Sequence, residues 1–106
     1  MEITREDKPD VVIVKLSGDV DMRSSPHLRE ELRELTRARA PRIEVSLEGV
    51  TYIDSSGIAT LIEGLKNAHP YQGRFTLTGV NDNIYPVFEL AHLTSVFDIK
   101  RAAKGT

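Results

Sequence analysis

With 106 residues, the chain has room for one compact domain and not for two. A hydrophobic fraction of 40%, a charged fraction of 28% and a net charge of −2 describe a globular protein without the basic footprint of a nucleic-acid binder. The absence of cysteine excludes a disulfide framework and thiolate chemistry. No run is long enough to span a bilayer, and Met1 to Asp7 are charged and lack an apolar signal core, so the expectation is a cytoplasmic protein with no membrane insertion.

Residues 2–6 read as a short first strand, closed by the turn Asp7-Lys8-Pro9-Asp10. Val11 to Leu16 is β-branched and reads as a central strand that stops at Ser17-Gly18-Asp19. Ser24 or Ser25 can cap the helix that follows, with Pro26 in its first turn. Leu28, Leu32, Leu35 and Ala38 or Arg39 keep its period to about Ala40, where Pro41 ends it. Arg42 to Leu47 alternates apolar and polar, Glu48-Gly49 reads as a turn, and Val50 to Ile53 as a further strand.

A second helix is expected from about Ser55 to Ala68, broken by Pro70 to Gly73. Its apolar positions Ile58, Leu61, Ile62 and Leu65 fall on one face. Arg74 to Val80 alternates again as a strand. A third helix covers about Asn83 to Ala91, packed through Val87, Phe88 and Leu90; Pro86 is harmless there if it falls in the first turn. Val96 to Ile99 reads as a last strand and 100–106 as a frayed tail. Alternating strands and helices predict an α/β sandwich: a mixed sheet of about five strands with about three helices mainly on one face, in a single domain over 1–106.

The most informative segment is Asp54-Ser55-Ser56-Gly57, where a strand gives way to an amphipathic helix. Two hydroxyls there meet unpaired backbone N–H groups and the positive end of the helix dipole. Such a place accepts a phosphate, which adds nearly two negative charges. A serine there is equally a helix cap. Asp54 reads as a second capping carboxylate or as a recognition contact, and Gly57 as a place of close approach by a partner or as relief of crowding. Asp19 and Asp21 lack the third ligand that a metal site needs, and His27, His69 and His92 show no ligand spacing. There is no phosphate-cradling glycine loop and no triad, so neither a cofactor nor an enzymatic activity is expected.

Three segments carry a family resemblance. Leu16 to Asp21, Ile43 to Leu47 with Val50 to Gly57, and Phe75 to Val80 with Val87 to Leu90 and Val96-Phe97 stand in the order of a STAS domain, the module of bacterial anti-sigma factor antagonists. The resemblance spans about residues 10–99, and Pro86 is the one departure. It implies a partner switch. The unphosphorylated antagonist binds an anti-sigma factor that is also a GHKL-type serine kinase, and so frees the sigma factor. The kinase then phosphorylates the serine after the aspartate, here Ser55 and less favourably Ser56, and a PP2C-type phosphatase reverses the step. The implied partner contacts are Asp21, Asp54, Ser55, Ser56 and Gly57. The alternative within the resemblance is an accessory STAS subunit of a lipid-transport ABC permease, bound constitutively.

Overall fold

A computed structural model describes residues 1–102. Five strands form one sheet in the order β1 (Glu2–Asp7), β2 (Val12–Val20), β3 (Arg42–Ile53), β4 (Arg74–Val80), β5 (Asp98–Arg101). β1 is antiparallel to β2, and the other neighbours are parallel. The crossovers carry α1 (Ser25–Arg37), α2 (Ser55–Ala68) and α3 (Tyr85–Leu90). No helix of the described residues is long and apolar enough to cross a membrane.

The register sorts the sheet into two unlike faces. Val14 pairs with Val45 and Val45 with Leu77, and all three are fully buried. Leu28, Leu32 and Leu35 of α1, Leu61 of α2 and Phe88 of α3 complete the same core. One step along each strand, Lys15, Ser46 and Thr78 pair across the opposite, wetter face. The helices therefore share one face, as the alternation predicts. Each fully buried Leu or Val contributes about 1.5–3 kcal/mol. The charged face of α1 is engaged differently: Arg33 and Arg29 converge on Glu63 of α2 at 2.7 and 3.6 Å, and Arg5 of β1 reaches Glu31 and Glu34. Half-exposed pairs of this kind contribute about 0–1 kcal/mol each, so burial holds the layers and the ion pairs orient them.

Several boundaries depart from the sequence reading, each for a local reason. β2 runs on through Ser17-Gly18-Asp19 to Val20, and β3 continues through Glu48-Gly49 without a turn. The pairing absorbs the mismatch as two register shifts, between Lys15 and Ser17 and between Gly18 and Asp19. Gly49 permits the close approach, because a Cβ there would lie 3.0 Å from Ser17 Cβ and 3.2 Å from Leu16 O. Asn81, just past β4, holds the irregular strand: its Nδ2 donates to Val50 O at 2.8 Å, with longer contacts of 3.4 Å to Leu47 O and Glu48 O.

α1 ends at Arg37 rather than near Ala40, because Arg39 turns left-handed (φ 55°) and Ala40 N–H bonds back to Leu35 O at 3.0 Å. Ala38 and Arg39 are therefore exposed, while Thr36 and Ala40 are buried. α3 spans only Tyr85–Leu90, with Pro86 in its first turn, and Leu90 is 83% exposed rather than packed. β5 begins at Asp98 rather than Val96 and takes in Lys100 and Arg101, so those two are not tail; residues 103–106 lie outside the described residues.

Replacing Asn81 by Ala leaves the Val50 carbonyl without its donor. Urea unfolding of Asn81→Ala is expected to show a loss of about 1–2 kcal/mol at unchanged m-value.

Candidate functional site

The carboxyl ends of β2 and β3 meet where α2 begins. Asp54 is the N-cap of α2 in extended conformation (φ −105°, ψ −174°). Its backbone N–H donates to Val20 O at 3.1 Å, which ties the corner to β2. Its Oδ1 accepts from Ser56 N–H at 2.9 Å, Gly57 N–H at 3.1 Å and Ser56 Oγ–H at 2.6 Å. These bonds hold the Asp54 carboxyl below the usual carboxylate range: the Ser56 hydroxyl is the largest cause, the Gly57 N–H the next, and the Met22 N–H a further one.

The two serines thus have unlike environments. Ser56 is half-buried and its hydroxyl is committed to Asp54. Ser55 is the first residue of α2 and is exposed, and among the described residues its hydroxyl has no hydrogen-bond partner. The expectation that a serine caps α2 is not met: Asp54 alone is the cap, and the Ser56 hydroxyl donates to it. At α1 the capping expectation is not met: Ser24 is the N-cap residue, but its hydroxyl accepts from Asp21 N–H at 2.9 Å and donates to Asp19 O at 3.0 Å, inside the loop.

Asp21 sits beside this corner, half-buried, with Oδ1 accepting from Arg23 N–H at 2.9 Å and Ser24 N–H at 3.2 Å. Asp19 accepts from Thr51 Oγ–H at 2.9 Å, bridging β2 and β3. Asp21 thus stabilises the loop after β2, whereas Asp19 lies within β2 and ties it to β3. Gly57 is buried and faces inward. A Cβ there would lie 2.8 Å from Ile53 Cγ1, 2.9 Å from Val20 Cγ1 and 3.0 Å from Val20 O. This crowding by Val20 and Ile53 is by itself a reason for glycine at position 57. The three histidines are exposed and lie on separate segments.

Two neighbours of the corner escaped the sequence reading. Met22 follows Asp21 and is 76% exposed; Tyr52 precedes Asp54 by two residues and is 53% exposed. Tyr52 pairs with Asp19 across the β2–β3 seam. An apolar residue inside the polar loop Asp21-Met22-Arg23-Ser24 was the only available signal for the first, and nothing local marks the second.

Comparison with known proteins puts this geometry in context. The family model described as "Mlab, STAS domain" matches residues 3–99. The anti-sigma-B factor antagonist of Staphylococcus aureus (strain NCTC 8325) is 31% identical over 106 residues, covering 100% of this chain and 94% of that protein. The crystal structure of an anti-sigma factor antagonist from Mycobacterium paratuberculosis superposes with a TM-score of 0.85 at 21% identity, over 93% of this chain and 84% of that one. The Bacillus cell fate determinant SpoIIAA in its phosphorylated form gives 0.77 at 19% identity, over 97% and 93%. At such identities the two solved structures bear on the fold alone, and the fold is the same.

Two measurements check the corner. The folded-state pKa of Asp54 lies below its ordinary value of 3.8, so its stabilising contribution is complete above 3.8 and disappears as pH falls through the lowered folded value. Urea unfolding of wild type against Asp54→Asn is expected to show a stability gap at about pH 7 that closes only below pH 3.8. Gly57→Ala is expected to lower stability by about 1–3 kcal/mol in the same assay, because the methyl enters a filled site.

Proposed function

The chain belongs to the STAS domain family, and from that premise we propose that it is an anti-sigma factor antagonist switched by phosphorylation of Ser55. One observation carries the reading: the corner offers one exposed, uncommitted hydroxyl at Ser55, next to a second hydroxyl held by Asp54. In the unmodified state this corner, with Asp21, Asp54 and Ser56 around it, docks on an anti-sigma factor of the GHKL serine-kinase type and releases the sigma factor in the cytoplasm. The S. aureus relative, whose name is anti-sigma-B factor antagonist, supports the partner class, and SpoIIAA in its phosphorylated form is a protein of the same fold that carries a phosphate.

The chemistry is phosphoryl transfer performed by the partner. Ser55 Oγ attacks the γ-phosphorus of ATP, the bond to the ADP oxygen breaks, and the hydroxyl proton passes to a base of the kinase. A PP2C-type phosphatase returns the hydroxyl by hydrolysis and releases inorganic phosphate. This chain supplies the acceptor and its presentation, not a catalytic group.

The physical consequence is local. A dianion at the first turn of α2 meets the positive end of the helix dipole, so the modified helix keeps its fold. At the docking face the same dianion lies beside the Asp54 carboxylate and replaces a small neutral group. An unpaired charge in a buried interface costs several kcal/mol, and each 1.4 kcal/mol is tenfold in affinity. The switch therefore acts on the interface and leaves the domain intact.

Two outcomes are expected with a purified serine-kinase-type anti-sigma factor from the same organism. Incubation with ATP should add one phosphate, located on Ser55 by mass spectrometry and lost in Ser55→Ala. Ser55→Asp should lower binding at least about a hundredfold by calorimetry while the circular dichroism spectrum stays unchanged. A phosphate on Ser24 or Ser25 instead, or full binding by Ser55→Asp, would refute the switch. The rival function, a constitutive subunit of a lipid-transport permease, predicts no phosphate and no effect of Ser55→Asp on assembly.

A further inference from the structure

We infer that Met22 and Tyr52 are the two apolar anchors by which the anti-sigma partner grips the Ser55 corner; the inference rests on the function proposed above. Four large apolar side chains are exposed among the described residues: Met22 at 76%, Tyr52 at 53%, Leu90 at 83% and Val96 at 49%. Scattered singly, such residues need no explanation. These two are not scattered. Both belong to the segments whose ends converge on Asp54, one residue beyond Asp21 and two before Asp54 itself.

Their positions are fixed by the hydrogen bonds that fix the switch. Met22 stands two residues past Val20, whose carbonyl accepts the Asp54 N–H at 3.1 Å, and inside a loop that Asp21 Oδ1 ties at Arg23 N–H and Ser24 N–H. Tyr52 is held in register with Asp19, and Asp19 is bonded to Thr51 at 2.9 Å. The core does not require either side chain, since Val20, Val50 and Ile53 already fill this end of the sheet to 3% exposure or less.

Exposed Met and Tyr suit an interface for different reasons. Tyr presents a large rigid surface with two rotatable bonds and a polar tip, and such residues dominate interface energetics. Met is unbranched and polarisable, and adapts to an irregular pocket. Around them stand the carboxylates of Asp19, Asp21 and Asp54, all committed to internal hydrogen bonds. The apolar pair therefore supplies contact area beside a serine whose own contribution is small. The partner that fits is the one the function proposed above already places at this corner: the anti-sigma factor. Affinity then resides in Met22 and Tyr52, and the on–off decision in Ser55.

The test uses the full chain and each purified serine-kinase-type anti-sigma factor of the same organism. Met22→Ser and Tyr52→Ser should each weaken binding at least about tenfold, with Tyr52→Phe close to wild type and all three variants keeping the wild-type melting temperature. In steady-state phosphorylation the same two serine variants should raise KM by a similar factor and leave kcat within about twofold, the signature of lost docking rather than a misplaced acceptor. Wild-type binding and KM in both serine variants would overturn the inference and leave the Ser55 switch standing. Loss of self-association in these variants with kinase binding unchanged would overturn it too, by assigning the pair to a second copy of the chain. Failure of the wild-type chain to bind any such kinase would overturn the proposed function, and the anchors with it.

Discussion

The structure turns on one carboxylate oxygen. Asp54 Oδ1 accepts two backbone N–H groups of the first turn of α2 and the hydroxyl of Ser56, while the Asp54 N–H is bonded to β2. That set of bonds starts the helix, docks it on the sheet and decides which serine keeps its hydroxyl. Gly57 completes it: its missing Cβ lets the first turn descend onto Val20 and Ile53. The same atoms that end a strand and begin a helix therefore also expose Ser55, so fold and proposed site are one arrangement.

Around that corner the sheet separates two tasks. The face carrying Val14, Val45 and Leu77 is sealed by the three helices and supplies the stability. The carboxyl ends of β2 and β3 carry the surface features: Asp19, Asp21, Met22, Tyr52 and Ser55. A charge added at this end stays outside the core and beside a helix dipole that favours it. A packed core with its polar features gathered at one edge suits the proposed switch, because a phosphate there need not reshape the molecule to be read.

Most of the architecture was legible in the sequence because it rests on short-range patterns. The alternation of Arg42 to Leu47 and the 3–4 spacing of Ile58, Leu61, Ile62 and Leu65 placed β3 and α2, and the ordered segments placed the family. What was missed depends on distant partners. Glu48-Gly49 has the composition of a turn, and only Asn81, more than thirty residues on, together with the close passage of β2, keeps it a strand. Leu90 has helical spacing but points out, because α3 is six residues long and Phe88 alone of its side chains is fully buried. Ser55 and Ser56 are equivalent as letters; the 2.6 Å bond to Asp54 separates them. The need for glycine at position 57 comes from Ile53 and Val20, which meet it only in the folded corner and leave no mark near it in the sequence.

In the proposed switch, phosphorylation acts at the surface of an unchanged domain. Amide chemical shifts of the 15N-labelled protein, before and after stoichiometric phosphorylation, test this most directly. Large changes are expected only at Asp54 through Gly57 and in the Asp21–Met22 loop, with core amides such as Val45 and Leu77 unmoved. Shift changes spread through the sheet and α1, marking a refolded or loosened domain, would contradict it.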